Sequence, residues 1–275
     1  MKILGIVTLY YPPENVVANI HSYLPYLDGL IIWDNTPQEN ILPFSKGKDG
    51  VVYIRKGENT GIGKALNFAV NMLLSHSYTH LLTMDQDSCF MGDDFKRYKD
   101  VVSSYDGHHF MLFCPCRDKN LYNASFLKIE EAQDTIISGA LYPIETFQNI
   151  GLFKEDFVMD AIDTEFCLRI HRYNGSIGFV KSVFLNHKLG NPICRQFLWW
   201  KLKSFNYTPK RTYYIARNFL WIIRHYPEYN GRYILKLFIF RRFIRILCIE
   251  NDKFSKLRAL CHGIWDGLFK EKFSI

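Results

Sequence analysis

The stretch His80-Leu81-Leu82-Thr83-Met84-Asp85-Gln86-Asp87-Ser88 decides how this chain is read. A short apolar run ends in two carboxylates two residues apart. A buried strand over residues 81–84 leaves its sheet at Asp85, which puts both acids at the carboxyl end, where open α/β sheets bind ligands. No Lys or Arg separates the acids, so they repel, and burying either one unpaired is costly. A divalent cation resolves the conflict, and hard oxygen ligands suit Mg²⁺ or Mn²⁺. Taken alone, Asp-x-Asp reads equally as a solvated turn, so the flanking chain has to decide.

Upstream, residues 2–10 (KILGIVTLY) form an apolar run of the buried-strand type that ends at Tyr10-Tyr11-Pro12-Pro13. Residues 15–27 have helical spacing. Residues 29–33 and 51–55 are two further short strands, and the first of them runs into Asp34-Asn35-Thr36. The segment Asn59-Thr60-Gly61-Ile62-Gly63-Lys64 then enters a helix over 65–75, and the 81–84 strand follows. Strands alternating with helices predict a mostly parallel, Rossmann-like α/β sheet with right-handed crossovers. Three strand ends therefore share one edge: Thr8 with Tyr10, Asp34 with Asn35, and Asp85 with Asp87. The glycine pair can present backbone N–H groups to a phosphate, helped by Lys64. It lacks the third glycine of a dinucleotide fingerprint and the Gly-Lys-Ser/Thr of a P-loop.

The bulk composition is that of an ordinary globular chain of 275 residues, 48% hydrophobic and 22% charged, with room for one large domain plus an appendage. Seven cysteines without a Cys-x-x-Cys pair suggest neither zinc nor a disulfide framework and fit a reduced, cytoplasmic setting. Residues 1–7 are too short and too soon broken for a signal peptide. No uninterrupted apolar run reaches the length of a spanning helix. Charge is unevenly spread. Residues 1–189 hold 17 Lys and Arg against 22 Asp and Glu, whereas residues 190–275 hold 17 against 5. That change marks a boundary near residue 190, between a catalytic domain (1–190) and a basic, helical C-terminal region (191–275).

The ordered set Asp34-Asn35-Thr36, Asn59-x-Gly61-x-x-x-Ala65-x-Asn67 and Asp85-x-Asp87 resembles the nucleotide half of family 2 glycosyltransferases of the GT-A fold. The resemblance covers residues 2–190 well and the rest loosely. It implies that Asp34 reads the nucleotide base and that Asn59, Gly61, Lys64 and Asn67 line the nucleotide-sugar cleft, next to Thr8 and Tyr10. It further implies that Asp85 approaches the ribose or the metal and that Asp87 is the main metal ligand. Residues 135–143 would continue it as an acceptor-side strand with Ser138-Gly139 near the sugar, or else serve as a core strand with a turn.

Farther on, Asp160 and Asp163 lie one turn apart at the start of a helix in which Phe166 and Ile170 face inward. The spacing from Asp163 to Leu168-Arg169 resembles the family segment that supplies the catalytic base. This chain has Ile162 where the family commonly has Glu, a departure shared by rhamnosyltransferase-like members. An inverting transfer needs one such carboxylate to take the acceptor hydroxyl proton. Asp160 is the rival base, and Arg169 can support Asp163 if it packs back. After the strand at 180–185, His187 in the 186–190 loop resembles the family's late histidine near the diphosphate or metal.

From residue 192 onward aromatics and cations interleave, including Trp199, Trp200, Lys201, Arg211, Tyr213, Tyr214, Arg217 and Asn218. Arg211 and Arg217 can face a diphosphate or an anionic acceptor, or else stand as solvated cations on a helical subdomain. Residues 232–249 invite a membrane-surface reading. On a helical wheel, however, Arg232 and Lys236 fall opposite Arg241, Arg242 and Arg245. That pattern predicts two shorter helices, or one whose halves pack differently, over an anionic leaflet and near a lipid-linked acceptor.

The leading expectation is a metal-assisted inverting glycosyltransferase that extends a bacterial surface glycan. Its donor is a dTDP- or UDP-sugar, with dTDP-rhamnose first. A nucleotidyltransferase is the alternative enzyme, although Tyr10-Tyr11-Pro12-Pro13 is not its Gly-rich, basic signature. A membrane or nucleic-acid binder using the basic third leaves Asp34, Asp85, Asp87 and Asp163 unexplained, and no nucleic-acid partner is expected.

Overall fold

In the computed structural model, residues 1–38, 50–107, 109–187, 192–197 and 200–271 are described. Four apolar runs make the first half of the sheet: β1 (Ile3–Leu9), β2 (Gly29–Asp34), β3 (Val51–Arg55) and β4 (His80–Asp85). They pair in parallel in the order β3-β2-β1-β4. Nearly every residue of β1 and β2 is buried, which is why their sequences are continuous apolar runs rather than alternating ones. Between the strands lie α1 (Val16–His21), a 3₁₀ turn at Leu24–Tyr26, and α2 (Ile62–Ser75).

The sheet continues through β5 (Ser88–Phe90), α3 (Asp94–Ser103), β6 (Phe110–Cys116), β7 (Ile129–Ala132) and β8 (Ala140–Pro143). After these come α4 (Ile144–Ile150), α5 (Ile162–Arg172) and β9 (Ser176–His187). The strand order is β3-β2-β1-β4-β8-β6-β9-β5, with β7 also on β9. β8 runs antiparallel to both β4 and β6, and β5 and β7 run antiparallel to β9. The first half is thus parallel, as its sequence predicts, and the far half is mixed. The strand expected over 135–143 shortens to β8, because Gly139 has a φ of +81° and turns the chain just before it. Inside the sheet, Tyr23, Phe90, Phe95 and Tyr98 form an aromatic cluster against the α1 and α3 side.

The C-terminal elements are a hairpin of β10 (Ile193–Phe197) and β11 (Trp200–Ser204), followed by α6 (Pro209–His225), α7 (Arg232–Cys248) and α8 (Lys253–Phe269). Thr208 caps α6 by accepting from Arg211 N at 3.2 Å, with Pro209 at the first helical position. Of the two arrangements the wheel allows, α7 takes the second, a single 17-residue helix and not two shorter ones. The charges fall on opposite sides because Arg242 turns inward, where it is fully buried on Glu250 and donates to Thr212 Oγ at 2.8 Å. Lys256 reaches the other oxygen of Glu250 at 3.1 Å, and Ser204 also bonds Glu250. One buried carboxylate therefore gathers β11, α6, α7 and α8.

Two compact units result: Met1–Glu155 with Phe166–Lys188, and Asp156–Glu165 with Leu189–Ile275. The segment carrying Asp160 and Asp163, expected with the first domain, groups with the second. Residues 188–190 of the expected His187 loop lie outside the described residues, as does Trp199.

Candidate active site

Register alone gathers the strand-end polar groups. Thr8 on β1 pairs with Asp85 on β4, and Leu9 pairs with Asp34 on β2. At the Asp-Gln-Asp turn the middle residue acts as a clamp. Gln86 Oε1 accepts from Tyr10 N at 2.8 Å, and its amide donates to Tyr10 O at 3.0 Å. Asn19 of α1 donates to Gln86 O at 2.9 Å. The β1 end and the acidic turn are thereby locked together, and the Tyr10 ring is left exposed beside them. Gln86 carries this geometry, although only its flanking acids attract notice in the sequence.

Asp85, Asp87 and His187 place their ligand atoms within 4.8 Å of one another, at the ends of β4 and β9. Antiparallel pairing of Ser88 with His187 brings the histidine across. His187 Nδ1 lies 3.4 Å from Asp87 Oδ1 and 2.7 Å from Ser88 Oγ. The Asp87 carboxylate raises the imidazole pKa above its usual value, against the opposing effect of partial burial. Behind this group, Ser138 Oγ donates to Ser88 Oγ at 2.7 Å and accepts from Asp85 N at 3.1 Å. Both serines are fully buried. Two carboxylates and an imidazole form a donor set that suits Mn²⁺ or Mg²⁺, so the residues present fit the expected divalent ion.

Asp34 is fully buried, and each of its oxygens is engaged: Oδ1 by Thr36 N at 2.8 Å and Oδ2 by the Tyr53 hydroxyl at 2.6 Å. Burial and this carboxylate together push the Tyr53 hydroxyl pKa up, so Tyr53 stays a proton donor. Asn35 ties the β2 end to the glycine segment. Its Oδ1 accepts from Thr60 N at 3.1 Å, and its Nδ2 donates to Gly61 O at 3.3 Å. Asn59 Oδ1 accepts from Gly61 N at 3.0 Å, closing a turn in which Gly61 has a φ of +85°. Gly63 serves a different purpose from phosphate contact: a Cβ there would meet the Glu155 backbone at 2.9 Å. Lys64 is exposed on α2. Asn67, expected to line the cleft, is buried and holds the loop after α4, donating to Phe153 O at 3.1 Å and accepting from Phe153 N at 2.9 Å.

In the second unit, residues 158–161 form a tight loop in which Val158, Asp160 and Ala161 all have positive φ. Asn218 holds that loop by donating to the carbonyls of Phe157, Met159 and Asp160 at 2.8–3.0 Å. Arg217, expected to face a diphosphate, is instead buried and donates to Asp156 O. Arg211 forms a two-pronged pair with Asp160, Nε to Oδ2 at 3.0 Å and a terminal nitrogen to Oδ1 at 2.8 Å. This pair commits Asp160 to a cation, whereas Asp163 accepts from Thr164 N at 2.8 Å at the start of α5. Arg169 donates to the carbonyls of Ile150 and Leu152, a packing use that its place after Asp163 does not predict.

A parallel half-sheet with an Asp-x-Asp turn at its carboxyl edge, extended by a mixed half that returns a histidine to that turn, is the GT-A arrangement. The chain has the GT-A fold, and its ordered motifs are similar to those of rhamnosyltransferase-like members of family 2 glycosyltransferases. Among known proteins, the dTDP-rhamnosyl transferase RfbF of Shigella flexneri is 26% identical over 251 residues, covering 78% of this chain and 82% of that protein. No family model matches the chain. Among solved structures, S. aureus TarS in complex with UDP-GlcNAc superposes with a TM-score of 0.55 at 15% identity, over 97% of this chain and 81% of that one. GalNAc-T7 with UDP, GalNAc and Mn²⁺ superposes with a TM-score of 0.55 at 11% identity. There the match covers 78% of this chain but only 47% of that longer one. At such identities these two structures speak to the fold.

Proposed function

We propose that this enzyme transfers a sugar, with inversion, from a nucleotide sugar to a hydroxyl of a glycan or lipid-linked acceptor in bacterial surface polysaccharide synthesis. dTDP-rhamnose is the favoured donor, in keeping with the activity named for RfbF. The observation that carries this reading is the Asp85, Asp87 and His187 cluster at the strand edge beside buried Asp34. Asp34, fixed in place by Thr36 N–H and the Tyr53 hydroxyl, is the base reader, and the exposed Tyr10 ring offers the base a stacking face. Gly61, whose own N–H donates to Asn59, shapes the turn that opens α2, and exposed Lys64 in the first turn of α2 supplies a cation for the phosphates. Asp85, Asp87 and His187 hold a divalent cation, which when bound offsets charge on the departing nucleoside diphosphate.

Asp163 takes the proton of the acceptor hydroxyl as that oxygen forms its bond to the anomeric carbon and the bond to the diphosphate oxygen breaks. Asp160, the rival base, is paired with Arg211.

A thermal-shift screen of nucleoside diphosphates and nucleotide sugars with Mn²⁺, Mg²⁺ or EDTA tests the donor half. A ligand at about 100 times its dissociation constant adds roughly 2.7 kcal/mol of stability. Metal-dependent stabilisation by dTDP species, lost in Asp87→Ala, is the expected result, and no shift with any nucleotide would sink the reading. Asp163→Asn should lower kcat by about 10²–10⁴-fold while leaving donor binding intact, whereas Asp160→Asn should mainly lower the melting temperature. The reverse pattern in steady-state kinetics would move the base to Asp160.

A further inference from the structure

Two helices of the second unit are apolar on both sides. Along α7, Leu235, Ile239 and Ile246 face inward with the ion-paired Arg242. On the opposite side, Tyr233, Phe240, Phe243 and Leu247 follow one another at steps of seven, three and four residues and are exposed. Along α8, Leu260, Gly263 and Gly267 pack inward, and Phe254, Trp265 and Phe269 stand outward. The exposures are large: 81% for Phe254, 62% for Trp265 and 60% for Phe240. A surface helix of a globular protein normally carries polar residues there, and monomeric proteins rarely expose extended apolar surface without a use for it. Only four residues join the two helices, so Leu247 and Phe254 lie near one corner together with exposed Lys253.

Charge decides what covers these faces. Between residues 232 and 270 the exposed cations are Arg232, Lys236, Arg241, Lys253, Arg258 and Lys270, whereas the exposed acid is Asp252 alone. The other two acids, Glu250 and Asp266, are buried and paired within the unit. A second copy of this chain would bring like cations together. An anionic bilayer accepts both features, with aromatic rings at the acyl boundary and Lys and Arg at the headgroups. No helix among the described residues is long and apolar enough to cross a membrane. We infer that the outward faces of α7 and α8 seat the enzyme peripherally on an anionic lipid surface. Such seating would set the acceptor-side unit beside a lipid-linked acceptor, but lipid binding itself requires neither donor nor metal and is measured without them.

The test is flotation of the full chain with vesicles of phosphatidylethanolamine and phosphatidylglycerol against vesicles of phosphatidylcholine. Partitioning to the anionic vesicles should exceed that to neutral ones by at least tenfold and weaken as NaCl rises. R241Q/K253Q/R258Q should cut it about a hundredfold at low salt. F240S/F254S/W265S should cut it at least tenfold, and all six positions are exposed, so circular dichroism should stay unchanged. Brominated acyl chains should quench the fluorescence of the wild type more than that of Trp265→Phe. No partitioning, or partitioning that neither set of substitutions alters, overturns the inference. A dimer in sedimentation equilibrium that F240S/F254S/W265S dissociates assigns the face to self-association instead, and tighter binding to duplex nucleic acid than to vesicles assigns it to the charge alone. Nucleotide-induced thermal shifts in the same variants should match the wild type, which keeps a failure here separate from a failure of the transferase reading.

Discussion

Ser138 carries no charge, yet its hydroxyl joins three parts of the site. It accepts from Asp85 N and donates to Ser88 Oγ, which in turn lies 2.7 Å from His187 Nδ1. When Nδ1 keeps its proton and donates to Ser88, Nε2 retains the lone pair a cation needs. Removing the buried hydroxyl leaves Asp85 N without this acceptor and Ser88 without this donor, so the imidazole loses its fixed orientation. Ser138→Ala should therefore weaken Mn²⁺ binding about 10- to 100-fold in an EPR titration, with the fold intact. Unchanged affinity would show that the serines are merely buried neighbours. At this scale the sequence shows the acids but not their supports. Asp85 and Asp87 stand out because like charges two residues apart demand an explanation. Ser88, Ser138, Gln86 and Asn35 do not, because their partners lie 25 to 99 residues away in the chain. Spacing favours Asp163 over Asp160 as the base, but the pairing of Asp160 with Arg211, 51 residues on, is not legible in the sequence.

Elements were legible where their signal is local. The runs of β1, β2 and β4 announce buried parallel strands, and α2 follows from its own periodicity. β8 does not announce itself, because its antiparallel place between β4 and β6 depends on Gly139 turning the chain. Whether α7 is one helix or two is not legible for a similar reason: nothing near Arg242 in sequence says that Glu250 and Thr212 will draw it inward. The Gly263-x-x-x-Gly267 spacing on α8 has a physical reading that composition hides. A Cβ at Gly263 would lie 2.4 Å from Tyr213 O, and one at Gly267 would lie 2.6 Å from Arg217 O, so both glycines let α8 touch the α6 backbone. Alanine improves intrinsic helix propensity by about 1 kcal/mol over glycine, but overpacking a close contact costs about 1–3 kcal/mol. The clash is with backbone and cannot be relieved by a rotamer change, so Gly263→Ala should destabilise the protein by about 1 kcal/mol or more in urea unfolding. A stabilised variant would show that α6 and α8 do not need this approach.

Over the whole molecule, the acidic and basic parts meet different anions in different ways. Residues 1–189 carry a formal charge of −5 and residues 190–275 carry +12, by the counts of Lys and Arg against Asp and Glu. A nucleoside diphosphate approaching the acidic part meets Asp34, Asp85 and Asp87, and only Lys64 stands among the expected cleft residues as a cation. On the proposed function its binding would depend on a multivalent ion held at short range, which salt screens poorly. The basic helices offer the opposite case: dispersed, exposed cations whose attraction to an anionic surface falls off within a Debye length of about 10 Å at 0.1 M salt. The two interactions should therefore separate cleanly. EDTA should weaken nucleotide binding by about a hundredfold or more in calorimetry and leave vesicle flotation unchanged. Raising NaCl from about 0.05 to 0.3 M should strip the protein from anionic vesicles while shifting the metal-loaded nucleotide dissociation constant by less than about threefold. Nucleotide binding that survives EDTA but disappears with salt would mean that dispersed cations, and not the Asp85, Asp87 and His187 cluster, hold the diphosphate.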